Sequence, residues 1–278
     1  MKRSTKRSVD QQKSGRILGM PEQAVKIATV VVLIGIWEML SQAGILNPLH
    51  FPRPSKLIAT FWELVTVGYP TGITVWVHIK ATVVRILQGY ALAAVVAIPM
   101  GLAIGRSHLL LRATNPIITF ARSIAVISLL PLAIVWFGVG ELSRILLIAW
   151  GCFWAILTNT VQGARQVDVN YINAARMLST SKTQLFFRVI LPATLPRIFA
   201  GMKIGLGVGF MVIIAVEMVG TIKGLGALIQ QARFYYSSHI AIDGMIFIGI
   251  FGLLISFTLD RLERIILPWA VGLEEVER

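Results

Sequence analysis

Asn173-Ala174-Ala175-Arg176-Met177-Leu178-Ser179, followed by Val189-Ile190-Leu191-Pro192 and Pro196, is a short polar, basic segment set between two long apolar runs. From Asp168 onward, Tyr171, Ala174, Ala175 and Leu178 fall at i, i+3, i+4 and i+7, which predicts one apolar stripe on a short helix. Asn173, Arg176 and Ser179 take the opposite face. Ser181-Lys182-Thr183-Gln184 has the form of a capping box opening a second short helix. Leu185, Phe186 and Val189 then carry an apolar face on to Pro192. A helix this short is marginal alone in water and has to pack on something. The open choices are the rest of the chain, lipid headgroups, or a soluble partner.

The flanking runs settle the broad class. Of 278 residues, 56% are hydrophobic and 14% charged, against roughly half and a quarter in an ordinary soluble domain. The apolar excess comes in blocks long enough to cross a bilayer as helices. An all-α, polytopic membrane fold with about six transmembrane helices is expected, over residues 25–43, 87–105, 115–137, 144–163, 197–219 and 242–266. The net charge of +13 flanks these runs and forms no aromatic-interleaved stripe, so it points to membrane lipid and away from nucleic acid. Cys152 is the only cysteine, and the four histidines have no ligand spacing, so neither an intrachain disulfide nor a metal site is expected.

The expected organisation starts with a disordered basic tail, 1–24, then a first span with an external amphipathic segment, 25–80. A core at 81–270 contains the polar loop 164–196, and 271–278 is a C-terminal tail. Lys and Arg concentrate in the tail, the 164–196 loop and the C-terminal end, which places all three, and both termini, on the cytoplasmic side. Outside, Phe51-Pro52-Arg53-Pro54 reads as an extended turn. Ser55 is then the expected N-cap of a surface helix carrying Leu57, Phe61, Leu64 and Val65 on one face. His78 to Gln88 forms a polar-faced lead-in to the second span. Pro99 and Pro131 are expected to kink their helices.

Small residues recur every fourth position at Ala93, Ala97, Gly101 and Gly105, and again at Gly201, Gly205 and Gly209. That spacing lets helices approach closely, either within one subunit or between two. Ionisable residues inside spans are functional suspects. Arg122 and Lys203 either snorkel to headgroups or line a pore and attract an anion. Glu217 is either a gate or the partner of Arg233 or Lys223.

At the loop the chain resembles the permeases of ATP-binding-cassette (ABC) importers. Their cytoplasmic loop reads Glu-Ala-Ala, three residues, Gly, nine residues, Ile-x-Leu-Pro; here stand Ala174-Ala175, Ser179 and Ile190-Leu191-Pro192. Leu130-Pro131-Leu132-Ala133-Ile134-Val135-Trp136-Phe137-Gly138-Val139-Gly140-Glu141 resembles the taurine, aliphatic sulfonate and nitrate branch, as do Asn159-Thr160, Val216-Glu217-Met218 and Gly224-Leu225-Gly226. The resemblance covers residues 45–270. Asn173 stands where the family has Glu, Ser179 where it has Gly, and Ala125 where the branch usually has Pro.

The resemblance implies the type I importer permease fold and a translocation subunit, not an enzyme, moving a small organic anion by alternating access. Asn173, Ala174, Ala175, Arg176, Leu178, Ser179, Leu191 and Pro192 would couple it to an ATPase. It also implies two ATPase subunits holding ATP and Mg, a second permease copy, and a periplasmic or lipid-anchored solute-binding protein, all at a bacterial inner membrane. The sequence itself has no Gly-x-x-x-x-Gly-Lys-Ser/Thr phosphate loop, so no cofactor is expected on this chain. A secondary transporter or channel would call for several embedded carboxylates, and only Glu38 and Glu217 qualify. A membrane enzyme would call for a convergent set of His, Asp, Ser or Cys within the spans.

Overall fold

The computed structural model describes residues 16–17, 20–69 and 72–269, and among them the architecture is helical. Helix α1 spans Glu22–Gln42, α2 Pro54–Thr66, α3 Val75–Arg106, α4 His108–Ser123 and α5 Leu130–Phe137. They are followed by α6 Glu141–Arg165, α7 Val169–Met177, α8 Lys182–Leu185, α9 Leu191–Glu217, α10 Leu225–Phe234 and α11 Ser238–Ile266. A 3-10 turn, Val126–Leu129, precedes α5, and a π turn, Phe186–Ile190, joins α8 to α9. Most of the expected tail 1–24 lies outside the described residues, apart from a two-residue antiparallel pairing, Arg16–Ile17 with Met20–Pro21, and the start of α1. The expected tail 271–278 lies wholly outside them.

Helix α6 is the axis of the fold, with α3 packed along one side and α9 along the other. The two small-residue stripes make both approaches possible. A Cβ at Gly101 would sit 2.7 Å from the Thr160 Cβ, and one at Gly105 would sit 2.7 Å from the Ala164 Cβ. On the other flank a Cβ at Gly201 would come 2.6 Å from Asn159, and one at Gly209 would come 2.9 Å from the Cys152 sulfur. Both stripes therefore pack within one subunit. Ala97, Cys152, Ile156 and Leu157 close the seams with no exposure at all. In hydrocarbon such contact replaces the hydrophobic drive that lipid tails cannot supply.

Among the described residues four helices are long and apolar enough to cross a membrane, α3, α6, the Lys182–Glu217 rod and α11, or five if the bent pair α4 and Val126–Phe137 is one span. Of the about six expected spans, one is not a continuous helix. The third is broken by an 84° bend. In the first, α1 runs from Glu22 to Gln42, and its stretch Ala28–Gln42 is apolar. Pro131 does not kink a helix; it sits in the first turn of α5, where its missing N–H costs nothing. Pro99, by contrast, lies inside a continuous α3.

Helix α2 is capped by Arg53 with Pro54 in its first turn, so Ser55 is not the N-cap. Instead Ser55 donates its N–H and hydroxyl to Glu38 at 3.1 and 3.0 Å, tying α2 to α1. Leu57 and Leu64 are buried, and Phe61 stacks on Phe247 of α11 at 4.6 Å. The helix lies against the bundle as well as along its surface.

Candidate functional site

Two polar constellations stand at opposite ends of the bundle. At one end, α3 carries His78, Thr82 and Arg85 on a single face, all at most 5% exposed. The expected polar lead-in is thus a buried face. It meets the N-terminus of α6, the C-terminus of α9 and the loop before α10. The Arg85 guanidinium makes a forked pair with Glu141, Nε to Oε2 at 2.6 Å and Nη2 to Oε1 at 2.7 Å. Its Nη1 donates to Glu217 Oε1 and to the Lys223 carbonyl, both at 2.7 Å. Arg144 donates to the Gly220 carbonyl at 2.6 Å and to Glu141 at 3.2 Å.

The Glu217 side chain is fully buried, yet both its oxygens are served. The Thr82 hydroxyl lies 2.8 and 2.9 Å from them, and the Gly226 N–H donates at 2.9 Å. Thr82 in turn accepts the Leu225 N–H at 2.8 Å. His78 accepts the Gly224 N–H at Nδ1 at 3.2 Å and donates from Nε2 to the Tyr69 carbonyl at 3.1 Å. Outside the spans, burial and then the neighbouring Tyr235 push the Tyr69 phenol above its ordinary range.

The four charges cancel, and each buried one has hydrogen-bonded partners, the condition under which such groups are tolerated. Gly224-Leu225-Gly226 is shaped by this contact. Gly224 has φ +137°, and a Cβ there would strike the Glu217 carboxyl. One at Gly226 would lie 2.7 Å from the Ile214 carbonyl. The expected partners of Glu217, Arg233 or Lys223, are replaced by Arg85; only the Lys223 backbone takes part. Arg85, Thr82, Glu141 and Arg144 were missed. The available signal was His78, Thr82 and Arg85 recurring at helical spacing beside an apolar run.

At the other end lies the polar loop. Asp168 caps α7 by accepting the Asn170 N–H at 2.8 Å. Ile172 and Ala175 are buried, and Ile172 packs with Val167 and Ile190. Tyr171, Met177 and Leu178 turn outward, 64%, 87% and 79% exposed, and Ala174 is exposed beside them. The expected stripe is therefore split: Ala175 is buried against its own chain, and Tyr171, Ala174 and Leu178 face away. Asn173 and Arg176 are exposed as well.

Ser179 has φ +55°, the left-handed residue that ends α7. The Thr180 N–H bonds the Ala175 carbonyl at 3.3 Å and the Ser179 N–H bonds Arg176 at 2.9 Å, a Schellman cap, in which Gly is the usual residue. The expected capping box forms as read: Ser181 and Gln184 exchange backbone-to-side-chain bonds of 3.1 and 3.2 Å. Leu191 and Pro192 form the first turn of α9, both partly buried.

The remaining candidates lie apart. Arg122 is exposed in the last turn of α4, just before the bend. Lys203 pairs with Asp260 at 2.7 Å and with Glu263, both on α11, so its charge is locally offset.

The fold and these two ends define a polytopic helical membrane protein. A solved structure described as inward-facing conformations of the MetNI methionine ABC transporter shares this fold at TM-score 0.58 and 23% identity, over 68% of this chain and 94% of that one. Residues 93–271 match the family described as binding-protein-dependent transport system inner membrane component, and the chain belongs to that family. It is 33% identical to the taurine transport system permease protein TauC of Escherichia coli, over 88% of this chain and 89% of the relative. The nitrate import permease protein NrtB of Synechocystis is 34% identical over 86% of this chain and 87% of its own length. A putative aliphatic sulfonates transport permease protein SsuC of Bacillus subtilis is 32% identical over 86% and 84%.

Proposed function

We propose that this chain is the translocation subunit of an ATP-driven importer for a small organic anion, an aliphatic sulfonate such as taurine. It works as one of two identical copies, with two ATPase subunits below it and a solute-binding protein outside. ATP and Mg reside on the ATPases. The basic residues of the loop and chain ends support a cytoplasmic side for α7 and both termini. Relatives named for taurine and aliphatic sulfonates support the substrate. Nitrate, an aromatic acid or a vitamin precursor are the alternatives within the same family.

The observation that carries this reading is the outward apolar face of α7. Tyr171, Ala174, Met177 and Leu178 sit on a loop that is otherwise polar, while Ile172 and Ala175 satisfy the helix's own packing. A face left over after self-packing is a docking face. ATP binding closes the ATPase pair, draws two such helices together and rocks the bundles between two access states; hydrolysis resets them.

The test is Ala174→Arg in the complex with a co-expressed ATPase. The expected result is a folded permease that no longer copurifies with the ATPase or transports. An unchanged transport rate overturns the docking assignment.

A further inference from the structure

We propose that the groove between α3 and the Lys182–Leu191 segment is a binding site for one anionic phospholipid. It holds the phosphate among Arg106, Arg176 and Lys182 and lays an acyl chain over Ile98, Leu102 and Phe187. The groove has a volume of about 710 Å³, within the range of small-molecule sites. Its floor is apolar, and no carboxylate lines it. The three cations are exposed, and none forms an ion pair among the described residues. Arg106 ends α3 and Lys182 opens the facing segment, while Ile98, Leu102 and Leu191 lie further along, so the complementary ligand is an amphiphile with an anionic head.

The depth agrees. Arg106 ends α3, and Ile98 lies eight residues earlier, about 12 Å along the helix axis. That is the distance from a headgroup into the upper acyl region. The π turn gives the groove its second wall: it offsets Phe186 and Phe187, which meet edge to face at 5.1 Å, and leaves Phe187 59% exposed. Such turns recur at functional sites. Basic pockets between spans on the cytoplasmic side suit anionic headgroups. A free phosphate would leave the floor empty, and a second copy of this basic chain would bring more cations to the rim.

This site rests on the membrane placement proposed above, and it shares Arg176 with the segment expected to couple to the ATPase. The variants Arg106→Gln with Lys182→Gln, and separately Ala103→Trp, avoid the α7 docking residues. The latter fills the floor with every charge kept, since Ala103 is exposed there.

The whole permease–ATPase complex is placed in discs of phosphatidylcholine with a minor share of phosphatidylglycerol, and retained lipid is read by native mass spectrometry. Wild type should retain phosphatidylglycerol selectively. The double variant should bind it about 30-fold more weakly, since two charges at roughly 1 kcal/mol each are removed. The tryptophan variant should lose it with its charge intact. Equal retention by wild type and both variants overturns the proposal. So does displacement of the lipid by millimolar inorganic phosphate alone, or a photo-crosslink from position 187 that captures protein in place of lipid. Ala174→Arg should keep the lipid while losing the ATPase, which separates failure of one reading from failure of the other.

Discussion

Replacing Arg85 with Gln removes four hydrogen bonds at one step, two to Glu141, one to Glu217 and one to the Lys223 carbonyl. The losses are unequal. The Glu141 side chain is 56% exposed and keeps Arg144, so its share is under about 1 kcal/mol. The Glu217 side chain has no exposure and would be left as a buried carboxylate with only Thr82 and Gly226 as donors. Stranding one member of a buried pair costs about 3–5 kcal/mol. Glu217→Gln alone should cost less, about 1–3 kcal/mol, because Arg85 retains Glu141 and the amide oxygen can still accept. The double variant Arg85→Gln with Glu217→Gln contains no stranded charge. It should therefore be more stable than the sum of the single losses by at least about 1 kcal/mol. The assay is the unfolding midpoint of each variant in identical lipid discs at one heating rate, because membrane bundles commonly unfold irreversibly. An Arg85→Gln midpoint equal to wild type refutes the reasoning. Additive losses in the double variant refute it equally.

Two further outcomes follow from backbone geometry. Ser179→Gly should stabilise the α7 turn by about 1 kcal/mol, since a non-glycine residue at φ +55° carries left-handed strain; slower amide exchange at Thr180 would register it, and faster exchange would contradict it. Gly101→Val should separate α3 from α6, because even its Cβ would stand 2.7 Å from Thr160; a loss of about 1–3 kcal/mol in the same unfolding assay is expected, and a neutral result would mean the helices can shift apart freely.

The spans that pack on α6 were legible because length, hydropathy and small-residue spacing all report helix contact. The capping box at Ser181 was legible for a similar reason, as its two bonds are local in sequence. The bend between α4 and α5 was not. Apolar character continues from Ile124 through Leu132, and nothing in hydropathy records an 84° change of direction. The Arg85 cluster was hidden for a different reason. Its three groups, Thr82 with Arg85, Glu141 with Arg144, and Glu217, are more than fifty residues apart and join only when α3, α6 and α9 pack together, whereas a lone Glu217 invites pairing with the nearest cation along the chain. On α7 the pattern gave the helix but not which apolar residues face inward. Ile172, which falls outside the stripe, takes the inner place beside Ala175 because Val167 and Ile190 are there to receive it.

The stretch Lys182–Glu217 is a single rod of 36 residues, about 54 Å from end to end at 1.5 Å per residue. One tip adjoins the α7 loop; the other is moored by its terminal carboxylate to Arg85, Thr82 and the Gly226 amide. A tilt of only about 5° about one tip sweeps the other through about 5 Å, close to one helical pitch. Displacement applied at the loop would thus reach the far mouth by geometry alone, with no chain of side-chain rearrangements between, and the moorings at Glu217 would determine how much of that sweep is permitted.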